Sequence, residues 1–305
     1  MNKKTILVTG ANGLLGQKLI YALKGKQDVT LVATSIGENR ILDKEGYVYE
    51  SFDITDTEQT ENIFKKYQPD TIINTAAMTN VDACEADKEG CWKLNVTAVE
   101  NIINACKKYQ KDGHSHLIHL STDFVFNGEK GPYKEEDTPD PLSYYALSKF
   151  ESEKLVQSSP IKWAILRTML VYGIVDKMSR TNIVLWAKGA LAKGDKVNVV
   201  DDQFRNPTLA EDLSDACILA VEKEATGIYH ISGKDFMSIL DLVYTVADFF
   251  KLDKSLVNPI KSYTLNQAAK RPPRTGFILD KAYKELGYKP HSFVEGLEIL
   301  KNQLI

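Results

Sequence analysis

Thr5-Ile-Leu-Val-Thr-Gly-Ala-Asn-Gly-Leu-Leu-Gly16 opens as a β-type apolar run and breaks into glycines, after which Leu14, Leu15, Leu19, Ile20 and Leu23 recur at helical spacing before Gly25. The order is strand, turn, helix. Working outward, the alternation returns: strands are predicted at 29–33, 47–52, 71–74, 117–120 and 163–166, with helices at 57–67, 92–109 and 144–157 between them. Strands that alternate with helices pair in parallel and are covered on both faces, so the expected fold is α/β, a doubly wound parallel sheet. Beyond Gly173 the rhythm loosens into a helix at 182–191, a strand at 197–200, a turn-rich stretch with Asn206 and Pro207, a helix at 209–221, a strand at 228–231 and a helix at 238–250. The expected division is a nucleotide-binding domain over 1–173 and a smaller substrate-binding region over 174–305, with some later elements crossing back.

Composition narrows the function. The chain has 305 residues, 43% of them hydrophobic and 26% charged, with a net charge of −3, so no strong field recruits nucleic acid or an anionic membrane. The Met1-Asn-Lys-Lys start has no signal-peptide pattern, and no apolar run approaches the roughly 20 residues a membrane span needs. Cys84, Cys91, Cys106 and Cys217 form no CxxC pair, which suits reduced thiols in the cytoplasm. His114, His116 and His119 read as a loop and strand-end cluster rather than a metal site, and no metal is expected. A small-molecule pocket is what remains.

Gly10, Gly13 and Gly16 stand where the first strand gives way to the first helix, the place at which backbone amides and the helix dipole favour a pyrophosphate. The fold is therefore Rossmann-type, with Asn12, Leu14 and Leu15 completing the loop. Glycines there also suit a tight turn with close helix packing. Where dinucleotide folds often carry an acid after the second strand, this chain has Thr34 and Ser35, with Arg40 following. Hydroxyls and a guanidinium suit a 2′-phosphate, so NADP(H) is favoured and NAD(H) stays open; Arg40 as a solvated loop charge is the competing reading. Asp53, with Ile54 beside it, is placed at the adenine, or Asp53 caps the helix that follows.

Tyr145-Ala-Leu-Ser-Lys149 places a phenol and an ammonium one turn apart on one helix face. A tyrosine ionises near pH 10, and a neighbouring positive charge favours its phenolate. Tyr144, five residues from Lys149, is turned by about 140° and should face elsewhere. The strand end Ile118-His-Leu-Ser-Thr-Asp123 delivers the Thr122 hydroxyl to the carboxyl edge of the sheet, where open α/β sheets bind ligands, while Ser121 alternates to the other side. Such a hydroxyl can hold a carbonyl oxygen while a phenol protonates it.

The order Thr9–Gly16, Asn95-Val96, Ser121-Thr122-Asp123 and Tyr145–Lys149 resembles the extended short-chain dehydrogenases over nearly the whole chain. Within them it is similar to the dTDP-4-dehydrorhamnose reductase family, through Asn74-Thr-Ala-Ala77, Val81-Asp82, Ser121–Phe126, Asp202-Gln203-Phe204 and Pro207-Thr208. The resemblance implies NADPH-dependent reduction of a 4-keto sugar nucleotide, with Thr122, Tyr145 and Lys149 as catalytic groups and Lys149 also holding the nicotinamide ribose. Ala76 and Ala77 would line the cofactor cleft and Asn95 support the nearby backbone and the proton path. Thr79, Val81, Asp123, Phe126, Gln203 and Arg271 are expected at the substrate. Two positions depart: the family's Trp after the Arg-Thr pair is Leu170 here, and the acid used by magnesium-linked dimers corresponds to Lys18, so the metal is not carried over and a homodimer stays open.

Other functions share the fold. A dehydratase of this kind carries Glu directly after the Thr-Asp, where this chain has Phe124, which cannot exchange a proton. An epimerase remains an alternative, since the same triad can remove and return a hydride. The chain also resembles the regulatory beta subunit of methionine adenosyltransferase, a partner-binding protein in which an intact triad does not imply turnover.

Overall fold

Leu7 turns to one face of its strand and Ile6 and Val8 to the other, and each face meets its own hydrophobic core. The computed structural model describes residues 3–110 and 115–304. The first part of the chain runs β1 (Lys4–Thr9), α1 (Leu14–Leu23), β2 (Val29–Ser35), β3 (Val48–Ser51), α2 (Thr57–Tyr67), β4 (Thr71–Asn74), α3 (Val81–Ala86), α4 (Lys88–Trp92) and α5 (Ala98–Tyr109). It continues through β5 (His116–Thr122), α6 (Tyr144–Ser158), β6 (Lys162–Thr168) and β7 (Val171–Tyr172). After these come α7 (Ile183–Ala192), β8 (Val197–Val200), β9 (Phe204–Arg205), β10 (Thr208–Leu209), α8 (Ala210–Glu222), β11 (Gly227–His230), β12 (Met237–Ser238), α9 (Ile239–Phe250), β13 (Val257–Ile260) and α10 (Phe293–Asn302).

Seven strands form one parallel sheet in the order β11-β6-β5-β4-β1-β2-β3. This is the doubly wound α/β fold that the alternation implies. Because β1 lies between β2 and β4, the crossovers leave it in opposite directions, and a crevice opens beyond its carboxyl end. The Gly10–Gly16 loop sits in that crevice.

The second lobe has its own core of Val184, Ala187, Leu191, Val197, Leu242, Val246 and Leu297, among others, drawn from α7, β8, α9 and α10. The chain passes between the lobes several times. Between α7 and α9, α8 packs on α1 and β11 joins the large sheet; later, Ala282 and Leu286 return to the first core. Of the later segments predicted from sequence, α8 and β11 return to the sheet, whereas α9 stays in the second lobe because its buried Leu242, Val243 and Val246 face α7 and β8. The predicted helix over 92–109 is also interrupted. A π turn at Lys93–Thr97 separates α4 from α5, and Asn95 sits inside it.

Candidate active site

The local geometry of the glycine loop explains its composition. Gly10 has φ +66°, and a Cβ there would lie 2.8 Å from the Ala76 nitrogen; a Cβ at Gly16 would lie 2.3 Å from the Gly10 carbonyl oxygen. Gly13 caps α1 with no side-chain bond, so the first amides of the helix face the crevice without a protein side chain at the cap. That cradle fits a pyrophosphate. Asn12 secures it: its Nδ2 donates to the Glu38 carbonyl (2.9 Å) and Tyr49 Oη (3.0 Å), and its Oδ1 accepts from the Arg40 amide (2.9 Å).

One cleft of about 800 Å³ runs from this loop to the second lobe. Its walls include Asn12, Gly13, Leu14, Leu15, Gly16, Ser35 and Arg40 at one end, Ala77, Thr122, Asp123, Tyr145 and Lys149 at the centre, and Thr79, Val81, Gln203 and Arg271 towards the other end. Thus most of the residues expected from sequence meet. Arg40, Arg180, Arg205 and Arg271 make the walls cationic, which suits phosphate-bearing ligands. Arg271 is bound to Asp82 through 2.6 and 3.2 Å contacts, and Arg205 to Asp123 at 3.3 Å; among the described residues Arg40 is in no ion pair.

Several expected residues stand elsewhere. Gly10 lies beneath the loop, its carbonyl accepting from the Gly13 amide at 2.9 Å. Thr34 is fully buried and donates to the Val8 carbonyl at 3.0 Å, so its hydroxyl belongs to the sheet and is withdrawn from the group facing a 2′-phosphate. Asp53 accepts from the Thr55 amide (2.9 Å) rather than capping α2, whose cap is Asp56, and it does not line the cleft. Ile54 is packed in the core under α2 and α5, and Ala76 meets the same core while its amide bonds Thr9. Phe126 is fully buried, stacked on Tyr133 at 4.1 Å, so it supports the floor and does not line the cleft. Asn95 is likewise internal: it holds both backbone groups of Met78 (2.8 and 3.1 Å) and donates to Ser148 Oγ (2.9 Å). The π turn sets that reach.

Tyr145 and Lys149 are buried on one face of α6, next to Thr122 from the end of β5. Tyr144 points to α3 and α4, its ring 6.3 Å from Trp92 and its amide on Glu85. Burial raises the Tyr145 phenol well above its ordinary range, and a hydrogen bond with Thr122 offsets only part of that. The expectation that Lys149 sets this pKa is corrected, since desolvation dominates in the structure. Burial also pushes Lys149 down to about 8, against the upward pull of Glu153. Asp123 is raised by burial too, opposed by Arg205 and by bonds from Thr275 and Thr122. Its oxygens are engaged by protein, so it braces Thr122. Phe124 lines the cleft edge-on to Tyr145, 6.2 Å between ring centres, and lies beneath Arg205.

Sequence reasoning missed a polar floor. Glu153 and Arg167 are buried and form two bonds of 2.7 and 2.9 Å, and Ser121 also donates to Glu153. The signal was present, because Glu153 continues the four-residue step from Tyr145 to Lys149. His119 is fully buried against α6, His116 meets the Ala225 carbonyl at 2.8 Å, and His114 lies outside the described residues. Lys18 is paired with Glu211 at 2.7 Å and donates to Gln303 at 3.1 Å. Leu170, in a left-handed conformation at φ +43°, lines the cleft. Among the described residues, no helix is long and apolar enough to cross a membrane.

The family model described as RmlD substrate binding domain matches residues 4–304. The chain is 30% identical over 308 residues to dTDP-4-dehydrorhamnose reductase of Aggregatibacter actinomycetemcomitans, covering 97% of this chain and 98% of that protein. It is also 30% identical over 262 residues to methionine adenosyltransferase 2 subunit beta of Rattus norvegicus, covering 84% of this chain and 75% of the other. The crystal structure of dTDP-4-dehydrorhamnose reductase from Bacillus anthracis, in complex with NADP, superposes with a TM-score of 0.84 at 25% identity and covers 99% of both chains.

Proposed function

This chain belongs to the RmlD substrate-binding domain family, and from that membership and the chemistry of the cleft we propose that it reduces the 4-keto group of dTDP-4-dehydrorhamnose with NADPH. It is an NAD(P)-dependent oxidoreductase of the sugar-nucleotide reductase class. The observation that carries the reading is that Thr122, Tyr145 and Lys149 share a cleft with the uncapped start of α1, while Phe124 puts a benzyl ring where dehydration needs a proton-exchanging group.

Bound NADPH supplies the hydride. Gly13, Leu14, Leu15 and Gly16 face its pyrophosphate, Ser35 and Arg40 its 2′-phosphate, and Lys149 its nicotinamide ribose. Tyr145 delivers the proton to the carbonyl oxygen and Thr122 hydrogen-bonds that oxygen. Thr79, Val81, Gln203 and Arg271 meet the sugar nucleotide, and burial of the central groups keeps bulk water from the developing charge. The test is NADPH consumption by the purified protein with dTDP-4-dehydrorhamnose, followed by absorbance and by identification of the sugar product. A 4-hydroxy product with stoichiometric NADP⁺ is expected; saturable NADPH binding without turnover on this substrate would overturn the assignment. That outcome, joined to tight association with a methionine adenosyltransferase catalytic subunit, is what the beta-subunit similarity predicts instead.

Cofactor choice gives a separate expectation. With Ser35 and Arg40 both lining the cleft beyond the second strand, calorimetry is expected to find NADPH bound about tenfold more tightly than NADH, one charge-assisted contact being enough for that ratio. Arg40→Ala should erase most of the difference. Equal affinities in the parent protein would reject the assignment of Arg40.

A further inference from the structure

A chain of buried polar contacts joins the backbone beside the cofactor cleft to Lys149, and each donor in it can be assigned. The Ala76 amide donates to Thr9 Oγ1 at 3.4 Å, so the Thr9 hydroxyl proton goes to Asn74 Oδ1 at 2.6 Å. The Asn74 amide nitrogen then faces His119 Nδ1 at 3.2 Å, and as a donor it requires that ring nitrogen to be unprotonated. The ring proton is therefore assigned to Nε2. Nε2 lies 3.0 Å from Ser152 Oγ, whose own proton goes to the Lys149 carbonyl at 2.7 Å, so the hydroxyl accepts from the ring. The same Nε2 is 3.4 Å from Lys149 Nζ. An N–H there has no lone pair for an ammonium and presents the positive edge of a dipole to it.

We propose that His119 is a positioning residue for Lys149, locked by Asn74 and Ser152 as the Nε2–H tautomer so that it turns the lysine's charge away from the strand and into the cleft. The inference rests on the role given above to Lys149. The other titratable or charged groups around the amine are Glu153, one turn further along α6 and paired with Arg167 of β6; Cys91 of α4; and Tyr145, one turn back. Glu153 favours the ammonium, whereas burial and the His119 dipole oppose it. His119 itself stays neutral, because burial and then the charge of Lys149 depress its pKa well below the ordinary value.

The test follows His119 by ¹⁵N NMR and Lys149 by ¹³Cε NMR across pH in the cofactor-free protein, with Lys149→Met to assign the lysine signal. Wild-type His119 is expected as the neutral Nε2–H tautomer throughout, with Lys149 titrating well below a solvent-exposed lysine. Asn74→Asp places an acceptor against Nδ1, so the ring proton should move to Nδ1, Nε2 should become an acceptor, and the Lys149 midpoint should rise by about one pH unit. His119→Gln can offer its oxygen to Asn74 and its NH2 towards Lys149, and is expected to hold the lysine midpoint within about 0.3 pH unit of wild type. An Nδ1–H tautomer in the wild type would overturn the proposal. So would an Asn74→Asp variant in which Lys149 moves without the tautomer, or the tautomer without Lys149. None of these readings needs turnover, so a failed reductase assay and a failed positioning role are separately visible.

Discussion

Tyr145→Phe is expected to lose about 10²–10⁴-fold in carbonyl reduction, roughly 3 to 5 kcal/mol of barrier at 1.36 kcal/mol per decade, while folding and NADPH binding stay near normal. The substitution removes one oxygen from a ring that keeps its packing against Phe124, Cys84 and Cys91. Negative charge grows on the carbonyl oxygen as its carbon is reduced, and without the phenol the acid left beside Thr122 is Asp123, whose oxygens are already engaged by Arg205, Thr275 and Thr122. Thr122→Val should cost less, since the proton donor remains, yet it also removes the bond that partly offsets the raised phenol pKa. Lys149→Met should damage both cofactor affinity and rate. Tyr144→Phe is the internal control, because its ring packs on Trp92 outside the cleft, and it should be nearly silent. Steady-state kinetics of the four variants decide the matter. A dead Tyr144→Phe beside an active Tyr145→Phe would reverse the site assignment, and full activity in both would favour a binding protein.

The parts of this site that sequence revealed are those whose chemistry is local. A strand, a glycine turn and a helix lie within a few residues of one another, and a four-residue step on a helix fixes a shared face whatever the rest of the chain does. The elements at 57–67, 71–74 and 197–200 were legible for the same reason, as runs with one period and clear ends. What stayed hidden depends on distant partners. β13 exists because it pairs with β8 some sixty residues earlier, and β7, β9, β10 and β12 are two residues each, too short to show a period. α10 is different: Ser292 and Glu295 form a capping box ahead of its apolar face, a local signal that could have been read.

The same division runs through the functional residues. The Gly10 and Gly16 positions follow from backbone geometry, but Thr34 and Ser35 are adjacent hydroxyls with opposite fates, and only the alternation of the strand in its sheet decides which reaches the cleft. Phe126 and Asp123 sit in the motif nearest the chemistry, yet one is core and the other is neutralised by Arg205, contributed from β9 far along the chain. The departure of the Tyr145 pKa from expectation has a like cause. Spacing places Lys149 beside the phenol, whereas the extent of burial, set by Cys84 of α3, Cys91 of α4 and Phe124, determines which effect dominates.

Glu153→Ala is expected to destabilise the protein by about 3 to 5 kcal/mol, the usual consequence of leaving one member of a buried ion pair without its partner. Arg167 is 2% exposed and Glu153 fully buried; besides that pairing, among the described residues the guanidinium has only a 3.4 Å contact with the Glu135 carbonyl, a 3.5 Å contact with His230 and the face of Phe126 at 5.1 Å. Those contacts cannot neutralise it. The Ser121 hydroxyl loses its acceptor in the same step. The double variant Glu153→Leu/Arg167→Met replaces both charges by apolar groups of similar reach and should recover most of the loss, because the cost lies in the unpaired charge rather than in the absent pair. Urea unfolding at constant m-value measures both, and a Glu153→Ala variant within about 1 kcal/mol of the parent would contradict the buried-pair argument. The carboxylate also supports the ammonium of Lys149 one turn away, so its removal leaves burial less opposed and lowers the lysine midpoint further below about 8. In the double variant, stability should return while that lower midpoint persists, since neither apolar side chain restores the negative charge facing Lys149. Recovery of the midpoint together with stability would instead mean that Glu153 acts on Lys149 only by holding the fold.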